Sequence, residues 1–140
     1  MYLIDTNVIS EARKREKADP GVIAFFKNVV ARGESVYLSV ISVGELQRGV
    51  GLIAHRGDVR QAKLLDVWLK RVLAQFAGHI LSFDTDAAHV WGYLRVPHAE
   101  HELDKQIAAI ALVNDLIVVT RNIADFQGTG VQLQNPFAPA

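Results

Sequence analysis

Met1-Tyr2-Leu3-Ile4-Asp5-Thr6-Asn7 is the stretch on which the reading of the fold turns. Tyr2, Leu3 and Ile4 form an apolar run without alternation, the pattern of a strand covered on both faces as in a parallel sheet. The run breaks at Asp5, and Val8-Ile9-Ser10-Glu11-Ala12 beyond it reads as a short helix. A carboxylate at the end of a central parallel strand sits where open α/β sheets bind their ligands. Asp5, Thr6 or Asn7 could equally cap the helix through a side-chain oxygen. The number of other carboxylates that reach the same edge has to decide.

Working outward, residues 13–19 form a charged loop ending at Pro20-Gly21. Pro20 suits the first turn of a helix whose apolar positions are Val22, Ile23, Phe25, Phe26, Val29 and Val30, closed by Arg32-Gly33. Val36–Ile41 is β-branched and aromatic and predicts a second strand. Ser42-Val43-Gly44-Glu45 opens a helix running through Leu46, Val50 and Ile53. A polar loop, His55-Arg56-Gly57-Asp58, leads to a long helix over roughly 59–76 with a stripe of Ala62, Leu65, Trp68, Leu69, Val72 and Phe76. Such helix–loop–helix arms often pack against a second copy of the chain.

Ile80–Phe83 predicts a third strand, with Asp84 or Thr85 capping a helix through Ala88, Trp91 and Leu94 that stops before Pro97. Asp104–Val113 predicts a helix with its buried stripe at 107, 108, 111 and 112, Leu116–Thr120 is the clearest strand, and Val131-Gln132-Leu133 is a weak fifth. Strands alternating with helices imply an α/β fold: a single domain over residues 1–140, built on a parallel sheet of about five strands covered on both faces.

Three further acids fall where strands end or buried helices begin. Glu45 fits a capping box with Ser42, yet it follows a buried strand, and Gly44 beside it leaves room for a ligand. Asp104 lies one turn before Ile107 and Ala108, on the buried side of its helix. An isolated charge there costs several kcal/mol (roughly, by the penalty for buried unpaired groups), and the helix dipole returns only about 0.3–1 kcal/mol. A bound cation or an arginine partner would resolve the deficit. Asp125 ends the polar cluster Thr120-Arg121-Asn122-Ile123-Ala124-Asp125, where an Asx turn is the simpler explanation for it taken alone. Four carboxylates at one edge would repel one another and drive at least one toward protonation. Oxygen donors without cysteine favour Mg²⁺ or Mn²⁺ over zinc, and such an ion could activate water for attack on a phosphodiester. His98-x-x-His101 is the only close histidine pair; it follows Pro97 in a polar connection and reads as a loop feature.

Composition narrows the field. The chain has 140 residues, half of them hydrophobic, enough for a substantial core. Fifteen basic residues balance fifteen acidic ones, so any surface for nucleic acid must be local. The absence of cysteine excludes disulfides, zinc–thiolate sites and a cysteine nucleophile. Asp5 interrupts the opening apolar run, which argues against a secretory leader, and no stretch has the length of a membrane span. A soluble, cytoplasmic protein is expected.

Taken together, Ile4-Asp5-Thr6-Asn7-Val8, Ser42-Val43-Gly44-Glu45-Leu46, Leu103–Ala109 and Val119–Phe126 resemble, in family order, the motifs of the PIN-domain ribonucleases, specifically the VapC-type toxins of type II toxin–antitoxin pairs. Each segment is weak alone; the four span nearly the whole chain. The resemblance implies a three-layer α/β/α sandwich, Mg²⁺-dependent cleavage of RNA, homodimerisation, and neutralisation by a small antitoxin that also binds operator DNA. Carried over, Asp5, Glu45 and Asp104 are metal ligands and catalytic acids, and Thr6, Asn7, Thr120 and Asn122 support them. The fourth acid falls on Asp125 or on the position of Asn122. Arg13, Lys14, Arg15, Arg48, Lys105 and Arg121 are the candidates for phosphate contact.

Two other classes compete. A phosphatase or receiver-type phosphoryl-transfer domain also places an Asp after its first strand. The former wants a second Asp where Asn7 stands; the latter wants a phosphoacceptor, where Asp84 could stand, and a late lysine for which no position is evident. The non-enzymatic alternative is a binding module whose acids only cap helices.

Overall fold

The computed structural model describes residues 1–139. Five short strands, β1 (Tyr2–Ile4), β2 (Val36–Ser39), β3 (Ile80–Leu81), β4 (Ile117–Val119) and β5 (Leu133–Gln134), form one parallel sheet in the order β3-β2-β1-β4-β5. The opening strand is the centre of the sheet. Tyr2 pairs with Val36 on one side and Ile117 on the other, and Ile4 pairs with Val119. The chain builds outward from β1 to β3, then crosses over to build β4 and β5 on the opposite side. The gap between β1 and β4 is therefore the topological switch point, where the carboxyl ends of parallel strands leave a crevice. Asp5 and Thr120 stand at its two lips.

Six helices cover the sheet: α1 (Thr6–Ala12), α2 (Pro20–Arg32), α3 (Val40–His55), α4 (Val59–Gln75), α5 (Thr85–Leu94) and α6 (Glu102–Val113). The two-residue period of a strand sends neighbours to opposite faces. Ile4, Leu38 and Val119 accordingly join Val8, Val22, Phe25, Leu46, Leu69 and Val72 in one core, packed under α1 to α4. Leu3 and Val118 join Ala87, Phe126, Val131 and the run Ile107–Ala111 in the other, under α5 and α6. The result is the expected three-layer α/β/α sandwich. Among the described residues no helix is long and apolar enough to cross a membrane.

The structure moves several expected boundaries. Val40 and Ile41 belong to the first turn of α3 and not to β2, because the Ser39 hydroxyl accepts the Ser42 N–H at 3.1 Å and starts the helix there. Ser42 is thus inside the helix, and the Ser42–Glu45 capping box does not form. The fifth strand lies at Leu133–Gln134, two residues beyond where Val131 began it. Helix α6 is buried continuously from Ile107 to Ala111 and not along a stripe, because the sheet covers one side and α5 the other. Val30, counted among the apolar positions of α2, is exposed. Helices α3 and α4 pack on one another and leave Val59, Leu64 and Val67 of α4 in solvent.

The end of the chain is fastened to the start of α2. Asp19 Oδ1 accepts the N–H groups of Gly21 and Ala138, each at 2.8 Å. A methyl group at Gly21 would overlap the Pro136 carbonyl and the Ala138 nitrogen, so only glycine permits this docking.

Candidate metal centre

Strand β1 delivers Asp5 to the switch point almost fully buried, 3% exposed. Its two oxygens are both engaged. Oδ1 accepts the Thr6 N–H at 2.8 Å as the cap of α1, while Oδ2 accepts the Thr120 hydroxyl at 2.8 Å and the Asn7 amide at 3.2 Å. Capping and site-building are therefore one arrangement here. Thr120, fully buried at the end of β4, also accepts the Asn122 N–H at 3.0 Å. Asn7 Oδ1 takes the Arg121 N–H at 3.1 Å, so this side chain ties the two central strands together at their ends.

Glu45 enters from the second turn of α3. Its Oε1 accepts the Thr6 hydroxyl at 2.7 Å, and the same Thr6 oxygen lies 2.9 Å from Ser42 Oγ. Thr6 has one hydroxyl proton, and the carboxylate is the stronger acceptor. Ser42 must then donate to Thr6, and Ser39, 3.4 Å from Ser42, donates in turn. Three hydroxyls in series hold Glu45 in place. Gly44 beside it meets nothing within 4 Å, so the approach is open.

Asp104 sits in the first turn of α6, and Asp125 in a 3₁₀ turn, Ile123–Phe126, that follows β4. Asn122 is exposed, whereas Asp125 is half-buried and its charge bears on both Asp5 and Asp104. All four acidic residues expected from the sequence act on a common volume. Burial, followed by repulsion from Asp5, Asp125 and Glu45, pushes the Asp104 carboxyl up to about 6 against the pull of His101. Burial likewise raises Asp5, with donors from Thr120, Thr6 and Asn7 opposing it and Asp125 adding to it. Glu45 is raised by burial first and by Asp5, while Thr6 lowers it.

Among the described residues, no Lys or Arg pairs with any of these four carboxylates. Among the described residues the only basic side chain within ion-pair distance is His101, whose Nδ1 lies 3.9 Å from Asp104 Oδ2 and 3.9 Å from Asp125 Oδ1. His101, Asp104 and Asp125 bring one ligand atom each to within 4.8 Å of one another. Concentrated negative charge without a resident cation, lined by oxygen donors, fits a divalent metal ion. Asp5 and Glu45 border this tightest group without belonging to it.

His101 is the residue that the sequence reading set aside. Its position three before Asp104 was the available signal, since i and i+3 share a helix face. Its neighbour in the pair goes elsewhere: His98 Nδ1 faces Glu100 Oε1 at 3.5 Å. Lys105, a candidate for phosphate contact, is buried with its ammonium on the His98 carbonyl oxygen. Lys14 pairs with Glu11, and Arg121 lies over the Phe137 ring at 4.7 Å. Arg48 is exposed on α3, whereas Arg13 and Arg15 join Arg71, Trp68 and Phe26 around a cleft of about 290 Å³. The receiver-type alternative needs an acid beside Asp5, whereas Asp84 follows the edge strand β3, with β2 between it and β1, and caps α5 through the Ala87 N–H at 2.9 Å.

Comparison with known proteins agrees with this geometry. The family model described as the PIN domain matches residues 2–129. The chain is 34% identical to the VapC ribonuclease Y4jK of Sinorhizobium fredii, with 100% of both chains covered. It is 35% identical to toxin FitB of Neisseria gonorrhoeae over 98% of this chain and 99% of that one. The solved structure of FitAB bound to an IR36 DNA fragment superposes with a TM-score of 0.83 at 31% identity, covering 100% of this chain and 98% of the other.

Proposed function

The chain belongs to the PIN-domain family, and from that premise we propose that it is a metal-dependent endoribonuclease toxin, with Asp5, Glu45, Asp104 and Asp125 as its catalytic acids. The observation that carries this reading is the convergence of four carboxylates at the switch point with, among the described residues, no lysine or arginine paired to them. Asp104, with Asp5 and Glu45 bordering it on one side and Asp125 on the other, would hold the ion, and both Mg²⁺ and Mn²⁺ suit such oxygen donors. The bound ion supplies a more acidic water and stabilisation of charge at the scissile phosphate.

The protein's own groups do the positioning. Thr120, Asn7 and the Thr6 N–H fix both Asp5 oxygens; with two donors on Oδ2 and one on Oδ1, Oδ1 keeps the acceptor position open to an ion. Thr6, backed by Ser42 and Ser39, fixes Glu45, whose raised proton affinity suits it to accept a proton from the attacking water. Asp125 completes the acidic wall and Asn122 stands exposed beside it. The partners follow from the similarity to VapC- and FitB-type proteins: RNA as substrate, a second copy of the chain, and a small antitoxin that neutralises the toxin and carries the pair to operator DNA.

The test is RNA cleavage by the purified protein. Activity requires Mg²⁺ or Mn²⁺, stops with chelator, and falls at least about 10²-fold in Asp104→Asn, the range for loss of an essential acid–base or metal-binding group. Full activity of Asp5→Asn and Asp104→Asn, or cleavage indifferent to chelator, rejects it.

A further inference from the structure

The metal centre contains a nitrogen donor as well as its carboxylates. His101 stands immediately before α6, where a serine, threonine or aspartate would ordinarily cap the helix, yet its side chain makes no capping bond. Its backbone is left-handed, φ 58° and ψ 47°, a region that residues with a Cβ enter seldom, asparagine, aspartate and histidine more than the rest. The turn brings the imidazole over the crevice, with Nδ1 equidistant, at 3.9 Å, from one oxygen of Asp104 and one of Asp125.

That separation discriminates between roles. It is too long for a hydrogen bond to either carboxylate. It is shorter than two metal–ligand bonds of about 2.0–2.2 Å laid end to end, so one ion lies within reach of the nitrogen and either carboxylate oxygen. The imidazole is about half exposed, at 48%, and the two carboxylates less so, at 24% and 39%, which places the nitrogen on the solvent side of the acids.

We infer that His101 is a direct ligand of the divalent ion held by Asp104 and Asp125, so that the site is a mixed nitrogen–oxygen centre. The inference rests on the metal-dependent reading above. Imidazole favours borderline transition ions, whereas Mg²⁺ prefers oxygen and retains its waters. The chain therefore prefers Mn²⁺ to Mg²⁺ by more than carboxylates alone would give, and the preference belongs to this one side chain.

The experiment is Mn²⁺ binding to the full chain without RNA, followed by continuous-wave and pulsed electron paramagnetic resonance. The variants are His101→Gly, His101→Asn and His98→Ala. Glycine and asparagine both tolerate the left-handed backbone, so each removes the imidazole while keeping the turn. Wild type and His98→Ala should show ¹⁴N coupling from a bound imidazole, both His101 variants should lose it, and their Mn²⁺ affinity should fall about 10-fold with a smaller change for Mg²⁺. Mn²⁺ bound tightly without imidazole coupling, or coupling that survives both His101 variants, overturns the inference and leaves the nuclease reading intact. Wild type that binds neither ion, with Asp104→Asn indistinguishable from it, removes the metal-dependent reading and this inference with it.

Discussion

Thr120 donates its hydroxyl to Asp5 Oδ2 at 2.8 Å, joining residues 115 positions apart at the ends of the two central strands. The bond crosses the switch point and fixes the acid that the family motif begins with. Thr120→Val keeps the shape and removes the hydroxyl, leaving Asp5 and the Asn122 N–H each short of a partner. A loss of about 1–3 kcal/mol is expected in urea unfolding, the usual cost of an orphaned buried group. RNA cleavage should fall while the chain still folds.

The raised Asp104 carboxyl sets the sign of a pH effect. Its folded value of about 6 lies above its unfolded one, so folding takes up a proton between about pH 4 and 6. The protein without metal is favoured fully below that window and loses the contribution as pH rises through it. Asp104→Asn should remove this slope and stabilise the metal-free protein at pH 7.5 by on the order of 1–2 kcal/mol, discounted for its partial exposure. Denaturant titrations at pH 5 and 7.5 read it directly. Mn²⁺ should oppose the loss by binding the ionised form.

Thr6 couples Glu45 to the buried hydroxyls of Ser42 and Ser39. Thr6→Val should lower cleavage about 10-fold, a change near 1.4 kcal/mol in the barrier, through a freed Glu45. Glu45→Gln should lower it further, by 10²-fold or more if the carboxylate accepts a proton. If Thr6→Val equals Glu45→Gln, the hydroxyl has a role of its own.

Gly21 has no room for a side chain against Pro136 and Ala138. Gly21→Ala should cost about 1–3 kcal/mol in the full chain, the range for overpacking. In a chain ending at Gln134 the same change should be neutral or stabilising by about 0.5–1 kcal/mol, since alanine is the better helix former. Comparing thermal unfolding of the four proteins isolates the tail's contact with α2.

The sheet was readable because β1 and β4 are unalternating apolar runs, which only a strand covered on both faces explains. Their ends were readable for the same reason, since Asp5 and Thr120 break those runs. The start of α3 was not. Val40 and Ile41 carry β-branched side chains that favour a strand, and a single hydroxyl on Ser39 outweighs them. The Ser42-x-x-Glu45 pattern imitated a cap whose real occupant lies three residues earlier. The continuous burial of Ile107–Ala111 was hidden because periodicity shows one covered face and not a second helix over the other. His101 was only half legible: its spacing to Asp104 was a signal, but nothing in Glu100-His101-Glu102 announces the left-handed residue that brings the imidazole to Asp125.

The central position of β1 has a consequence for synthesis. Strand β1 is made before the other strands of the sheet and acquires β2 on one edge early, but its other edge waits for Ile117–Val119. Long-range parallel pairing of this kind closes late. Until it does, Asp5 has neither Thr120 nor Asp104 and Asp125 beside it, so a nascent or truncated chain carries the opening motif of a nuclease without its cutting edge. Inertness during translation is thus built into the strand order, ahead of any inhibitor.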